Sequence, residues 1–187
     1  MREKLLKMIY EKSFRFDPDF GFQLASGTKS DVYIDVKKTV LSSDGMELVG
    51  RIVYEAIKEL DIEGAGGLTL GADPIAYATA LVSNMNGKAL EAFVIRKETK
   101  KHGTMRWLEG NLTEGARVVI IDDVITTGGS TIKAIDRAKE AGLEVVLVLA
   151  LVDREEGGRE NIAEVCDAPF KAIFTKSDLL ELQKKAS

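Results

Sequence analysis

Two adjacent carboxylates, Asp122 and Asp123, follow the apolar run Val118-Val119-Ile120-Ile121 and lead through Val124 and Ile125 into Thr126-Thr127-Gly128-Gly129-Ser130-Thr131. An acidic strand end and a glycine turn are each common, but here they are joined within nine residues, from Asp122 to Ser130. Glycines let the backbone come close to a phosphate, and the free N–H groups at a helix start favour an anion there. Thr126, Thr127, Ser130 and Thr131 can donate hydroxyl hydrogen bonds to the same phosphate. The carboxylates lie upstream of it, where they can accept from sugar hydroxyls or hold a hydrated Mg²⁺. No Gly-Lys-Ser/Thr follows the glycines and no Gly-x-Gly-x-x-Gly occurs, which sets aside a Walker loop and a dinucleotide fingerprint.

A second cluster is cationic. Arg96 to Arg106 holds five cations (Arg96, Lys97, Lys100, Lys101, Arg106) against one anion, Glu98, so this segment is +4 in a chain of formal charge −4. His102, the only histidine, lies within it. Gly103, Gly110 and the lack of apolar periodicity make residues 96–111 a long loop, and such loops in compact domains are usually functional. Cations and an imidazole on a Gly-flanked loop suit a leaving group that gains negative charge as its bond breaks. A third candidate is Arg154, in Leu151-Val152-Asp153-Arg154-Glu155-Glu156-Gly157-Gly158, because a guanidinium fork binds a carboxylate bidentately.

The elements that must position these groups alternate between β-branched runs and helix-period stretches, the pattern of βαβ units and a mostly parallel sheet. After Asp44, whose side chain can cap with Glu47, apolar residues at Val49, Ile52, Val53, Ala56, Ile57 and Leu60 mark one helix face. Gly66 to Gly71 reads as strand and turn; Asp73 as N-cap and Pro74 as first helical residue then open a helix over Ile75 to Met85. Strands are expected at Ala92–Ile95, Arg117–Ile121, Leu143–Val152 and Ala172–Phe174. Helices are expected at Ser130–Ala141, ending at Gly142, at Asn161–Cys166, and from Asp178 onward.

At 187 residues, 45% apolar and 30% charged, the chain fits one globular domain over residues 1–187, and disorder is excluded. No apolar run reaches the ~18 residues of a membrane span, and residues 1–16 do not read as a secretory signal. The lone Cys166 permits neither an internal disulfide nor a cysteine metal cluster, so a cytoplasmic location is expected. An acidic chain argues against nucleic-acid binding, whereas a basic loop on it suits a small anionic ligand.

The stretch from Val118 to Ser130 resembles the motif of the type I phosphoribosyltransferases, apolar-apolar-Asp-Asp-x-x-x-Thr-Gly-Gly-Ser/Thr. That resemblance implies phosphoribosyl pyrophosphate (PRPP) as a ligand. Asp122 and Asp123 then face the ribose hydroxyls, and Val124, Ile125, Thr126, Thr127, Gly128, Gly129 and Ser130 wrap the 5′-phosphate. Arg96-Lys97-Glu98-Thr99-Lys100-Lys101-His102-Gly103 is similar to the Arg-Lys-x-x-Lys-x-His-Gly lid of the orotate branch. By that likeness Arg96, Lys97, Lys100 and His102 meet the pyrophosphate, with Lys97, Lys100, His102, Asp122 and Asp123 as catalytic residues. Asp153-Arg154-Glu155-Glu156-Gly157-Gly158 is similar to the branch's Asp-Arg-x-Glu-x-Gly turn, which implies that Arg154, with Thr126, holds orotate. Leu24 to Asp35 matches the branch's N-terminal segment in part: many members carry a lysine where this chain has Ala25 and a basic residue where it has Thr28.

The resemblance further implies an α/β type I fold: a mostly parallel central sheet flanked by helices, a small N-terminal hood built from about residues 1–40 and the C-terminal part, and a mobile lid loop over 96–111. It implies Mg²⁺ held mainly by PRPP and water near Asp122 and Asp123 with no direct protein ligand, and a homodimer whose lid reaches the neighbouring site. The expected reaction makes orotidine 5′-monophosphate in pyrimidine synthesis. The cradle alone does not choose the base, so a purine or other pyrimidine phosphoribosyltransferase stays open, as does a non-catalytic PRPP-sensing regulator. Arg154 and the His-Gly lid favour orotate; the intact lid and acidic charge weigh against a regulator.

Overall fold

A computed structural model describes residues 1–19, 21–23, 29–98 and 107–186. In chain order its elements are α1 (Arg2–Ser13), β1 (Phe14–Phe16), β2 (Phe22–Gln23), β3 (Lys29–Ser30), β4 (Val32–Ile34), α2 (Lys37–Val40), α3 (Ser43–Ile57), β5 (Gly64–Leu68), α4 (Asp73–Met85), β6 (Glu91–Ile95), β7 (Leu108–Glu109), β8 (Arg117–Ile125), α5 (Gly129–Glu140), β9 (Glu144–Asp153), α6 (Gly158–Ala163), β10 (Phe170–Thr175) and α7 (Lys176–Ala186).

The main sheet has the order β10-β9-β8-β5-β6-β7, with every pair parallel except the terminal β6–β7. Its central strands are apolar at nearly every position because both faces are covered. Alternation then sorts the side chains: Val119, Ile121, Leu147, Leu149 and Leu151 pack with residues of α1, α3 and α7, whereas Val118, Ile120, Val148 and Ala150 pack with residues of α5 and α6. Each fully buried Leu or Ile contributes roughly 2 kcal/mol of burial free energy. Two small antiparallel pairs, β1–β4 and β2–β3, lie in the N-terminal stretch expected to form the hood.

Element boundaries differ from the sequence expectation in instructive ways. Helix α3 is capped by Ser42, whose hydroxyl accepts from the Gly45 N–H at 3.3 Å, so Asp44 is a first-turn acid and not the cap. Asp73 is likewise the first residue of α4 and not its cap; its carboxylate instead accepts the Thr69 hydroxyl at 2.6 Å. Strand β8 continues past Ile121 because Asp122, Val124 and Ile125 pair with Ala150, Val152 and Asp153 of β9. The expected loop 96–111 contains β7, which pairs with Val94 and Ile95 and closes that edge of the sheet. Helix α6 starts at Gly158, earlier than the expected Asn161, because Gly157 at φ +85° supplies the left-handed turn into it.

Candidate active site

The carboxyl ends of β5, β8 and β9 lie side by side, the edge at which parallel α/β sheets bind ligands. Strand β8 delivers Asp122 and Asp123 there, then turns through Thr126 and Thr127 into α5. Gly128 makes that turn at φ +83°, and a Cβ on it would stand 3.0 Å from the Gly158 carbonyl oxygen. No side chain caps α5, so its first N–H groups face the turn as an anion site.

The two acids differ in their surroundings. Asp122 is 5% exposed, and its oxygens accept from the Ser130 hydroxyl (2.8 Å), the Thr131 hydroxyl (2.6 Å) and the Asp123 N–H (3.0 Å). It therefore staples the strand to the helix. Burial pushes its carboxyl up from the usual 3.8 to about 6; the Thr131 hydroxyl works against the rise and the charge of Asp123 adds to it. Thr131 is fully buried on this staple, so its hydroxyl is not turned to a phosphate as expected: a buried carboxylate must be satisfied first.

Asp123 accepts from the Val124 N–H at 2.9 Å through Oδ1 and meets the Lys37 ammonium at 3.4 Å through Oδ2. The turn after β5 passes close behind, since a Cβ on Gly71 would lie 2.4 Å from Asp123 Oδ1. Just beyond that turn, at the start of α4, Asp73 Oδ1 is buried without a hydrogen-bond partner among the described residues. Lys37 also lies 2.9 Å from Asp35. Partial burial works to lower its pKa, but the Asp35 hydrogen bond and the charges of Asp123 and Asp35 outweigh that and raise it. Sequence reasoning missed Lys37, which lies 86 positions from Asp123 and belongs to no motif.

Arg154 is buried at the end of β9. Its Nε and Nη2 donate to Glu156 Oε1 at 3.2 and 3.0 Å, and Nη2 also reaches the Ser30 hydroxyl and the Val32 carbonyl of the hood. A carboxylate thus already sits on this guanidinium. Among the expected lid residues, Arg96 pairs with Glu109 at 2.9 Å and its N–H donates to the Trp107 carbonyl. Lys97 is exposed, and its carbonyl accepts from Lys133 of α5 at 2.9 Å. The Arg137 guanidinium stacks 3.5 Å over the Trp107 ring, so both stems of the basic segment are tied to α5 or to each other. Lys100 and His102 lie outside the described residues, as do Ala25 and Thr28.

The described residues include no group of three or more His, Cys, Asp or Glu able to cage a metal. With Asp122 engaged by protein donors, Asp123 Oδ2 is the oxygen left to face a ligand or a metal-bound water. This donor set fits an Mg²⁺ that keeps most of its waters and is carried by substrate phosphates.

Together the parallel sheet and this cradle define a phosphoribosyltransferase, and the family model described as "Phosphoribosyl transferase domain" matches residues 67–175. The orotate phosphoribosyltransferase of Aquifex aeolicus is 48% identical over 179 residues, covering 96% of this chain and 97% of that protein. A crystal structure of Mycobacterium tuberculosis H37Rv orotate phosphoribosyltransferase in complex with Fe(III) dicitrate superposes with a TM-score of 0.81 at 34% identity, covering 95% of this chain and 98% of the other. The same enzyme in complex with PRPP gives 0.77 at 32% identity, with the same coverage of both chains. The chain belongs to the orotate phosphoribosyltransferase family.

Proposed function

We propose that this chain transfers the 5-phosphoribosyl group of PRPP to orotate, giving orotidine 5′-monophosphate and pyrophosphate in pyrimidine nucleotide synthesis. The observation that carries the choice of orotate is Arg154, a buried guanidinium at the carboxyl end of the sheet beside β8, which takes the orotate carboxylate in exchange for Glu156. It and Thr126 hold the base; Asp122 and Asp123 set the ribose; Val124 to Ser130 wrap the 5′-phosphate; Arg96, Lys97, Lys100 and His102 meet the pyrophosphate. The bond from C1′ to pyrophosphate breaks, its electron pair leaving with pyrophosphate, as a ring nitrogen of orotate bonds to C1′ from the opposite face and gives up its proton to the leaving pyrophosphate or water. Protein groups therefore act by positioning and by charge. Bound Mg²⁺ would neutralise charge on the pyrophosphate, and Asp123 Oδ2 would accept from one of its waters. A buried, free Cys166 suits a cytoplasmic setting.

Mixing the protein with PRPP, Mg²⁺ and orotate should deplete orotate absorbance, with little turnover of uracil, hypoxanthine or adenine and none after chelation. Turnover of hypoxanthine in place of orotate would keep the family and overturn the base assignment.

The homodimer is proposed to use α4. Tyr77, Leu81 and Met85 follow one another at four-residue spacing and are 52%, 62% and 69% exposed, an apolar stripe along one helix face. Leu81→Glu should convert a dimer to a monomer in sedimentation and lower activity at dilute protein. A variant that sediments like the unmodified chain would place the interface elsewhere.

A further inference from the structure

The hood is joined to the catalytic edge of the sheet by side chains, and one of these links ends on the catalytic pair itself. Lys37 opens α2, with its ammonium 2.9 Å from Asp35 Oδ1 and 3.4 Å from Asp123 Oδ2. Asp35 is itself fixed: its N–H donates to the Ser13 carbonyl at the end of α1, and its carboxylate accepts the Lys37 N–H at 3.2 Å. A line of contacts therefore runs from α1 through Asp35 and Lys37 to Asp123.

Stability does not explain the arrangement. The Lys37 side chain is 42% exposed, and ion pairs that open to water contribute little to folding. Geometry explains more. Asp122 is held by three protein donors, whereas Asp123 Oδ2, the oxygen left to face a ligand, meets only the Lys37 ammonium among the described residues. Torsion of the Asp123 carboxyl is limited on one side by the Val124 N–H and by Gly71, and on the other by Lys37. An ammonium with three donors can stay on Asp35 and Asp123 while the carboxylate accepts a sugar hydroxyl.

We propose that Lys37 is a positioning residue that aims the Asp123 carboxylate at the ribose, so that the seating of the hood sets the geometry of the catalytic strand. This rests on the phosphoribosyl transfer proposed above. The rival role for the same lysine is direct contact with the pyrophosphate of PRPP.

A double-mutant cycle separates the two roles, because groups acting through one another are non-additive. PRPP is titrated calorimetrically with Mg²⁺ present and orotate absent, and folding of each variant is checked by its melting temperature. Lys37→Met should weaken PRPP binding about tenfold in the unmodified chain and by less than about twofold in an Asp123→Asn background. Lys37→Arg should restore most of the loss. Equal weakening in both backgrounds, or an arginine no better than methionine, overturns the proposal.

If Asp123→Asn binds too weakly to titrate, or Lys37→Met fails to fold, Asp35→Asn decides. Without its anchor the ammonium no longer aims Asp123, so PRPP should bind several-fold more weakly. Unchanged or tighter binding would mean that a freed Lys37 serves the ligand directly. Orotate turnover is a separate measurement, so PRPP binding with no orotate turnover would sink the substrate reading and leave this one tested.

Discussion

Gly71→Ala is expected to lower kcat/KM for PRPP by about 100-fold while the chain stays folded. An added Cβ would lie 2.4 Å from Asp123 Oδ1 and 2.6 Å from its Cγ, closer than side-chain atoms pack. The carboxylate must give way, yet the Val124 N–H holds its Oδ1 and the Lys37 ammonium meets its Oδ2. Because the clash is with the end of a side chain, the cost to folding should be about 1–2 kcal/mol. A displacement of about 1 Å at a group that orients the sugar is far more damaging to rate, since near-attack geometry can carry about 100-fold per ångström. Steady-state kinetics and a thermal melt test both halves. An unchanged kcat/KM would detach Asp123 from the reaction.

Asp122→Asn should make the protein more stable at pH 8 and much less active. Folded, Asp122 titrates near 6 in place of the usual 3.8, because burial penalises its charge. The folded chain therefore holds that proton more tightly than the unfolded chain. The associated stability is present at low pH and is lost as pH rises from about 3.8 through about 6. Above that window the buried charge costs up to about 3 kcal/mol. An asparagine keeps an acceptor for the Asp123 N–H and can donate to the Ser130 and Thr131 hydroxyls, so the charge cost disappears while the staple survives. The melting temperature of the variant should exceed that of the unmodified chain at pH 8, with the gap closing progressively as pH falls from about 6 to about 3.8. Activity should fall about 100-fold, because both hydroxyls must reverse their role and the loop that follows shifts with them. A variant less stable than the unmodified chain at every pH would show that the carboxylate stabilises the fold and that the burial argument is wrong.

Local signals in the chain were enough to read the order of the main elements. Leu48 to Ile57 shows a helix period, Val118 to Ile121 and Leu147 to Val152 are fully apolar, and Gly128, Gly142 and Gly157 mark turns that require φ near +80°. These are properties of single segments, set by side-chain period and backbone sterics. The limits of that reading appear at Asp122 and Asp123. Two acids look like the end of a strand, yet β8 runs four residues past Ile121, to Ile125, and takes both inside the strand because β9 is there to pair with it. Ser42 displaced Asp44 as the α3 cap for a similar reason: both can cap, and the path of the preceding turn chooses between them.

What the sequence determined by itself is the alternating α/β plan and the phosphate cradle, since a cradle is built from contiguous residues whose chemistry is written in their order. What only the tertiary structure decided is the division of labour within it. Asp122 became a buried staple and Asp123 a carboxylate met by Lys37; Lys37 joined the site from α2; Arg154 was buried against Ser30 and Val32. Each depends on desolvation or on a partner distant in the chain, and neither burial nor distance is carried by local residue order.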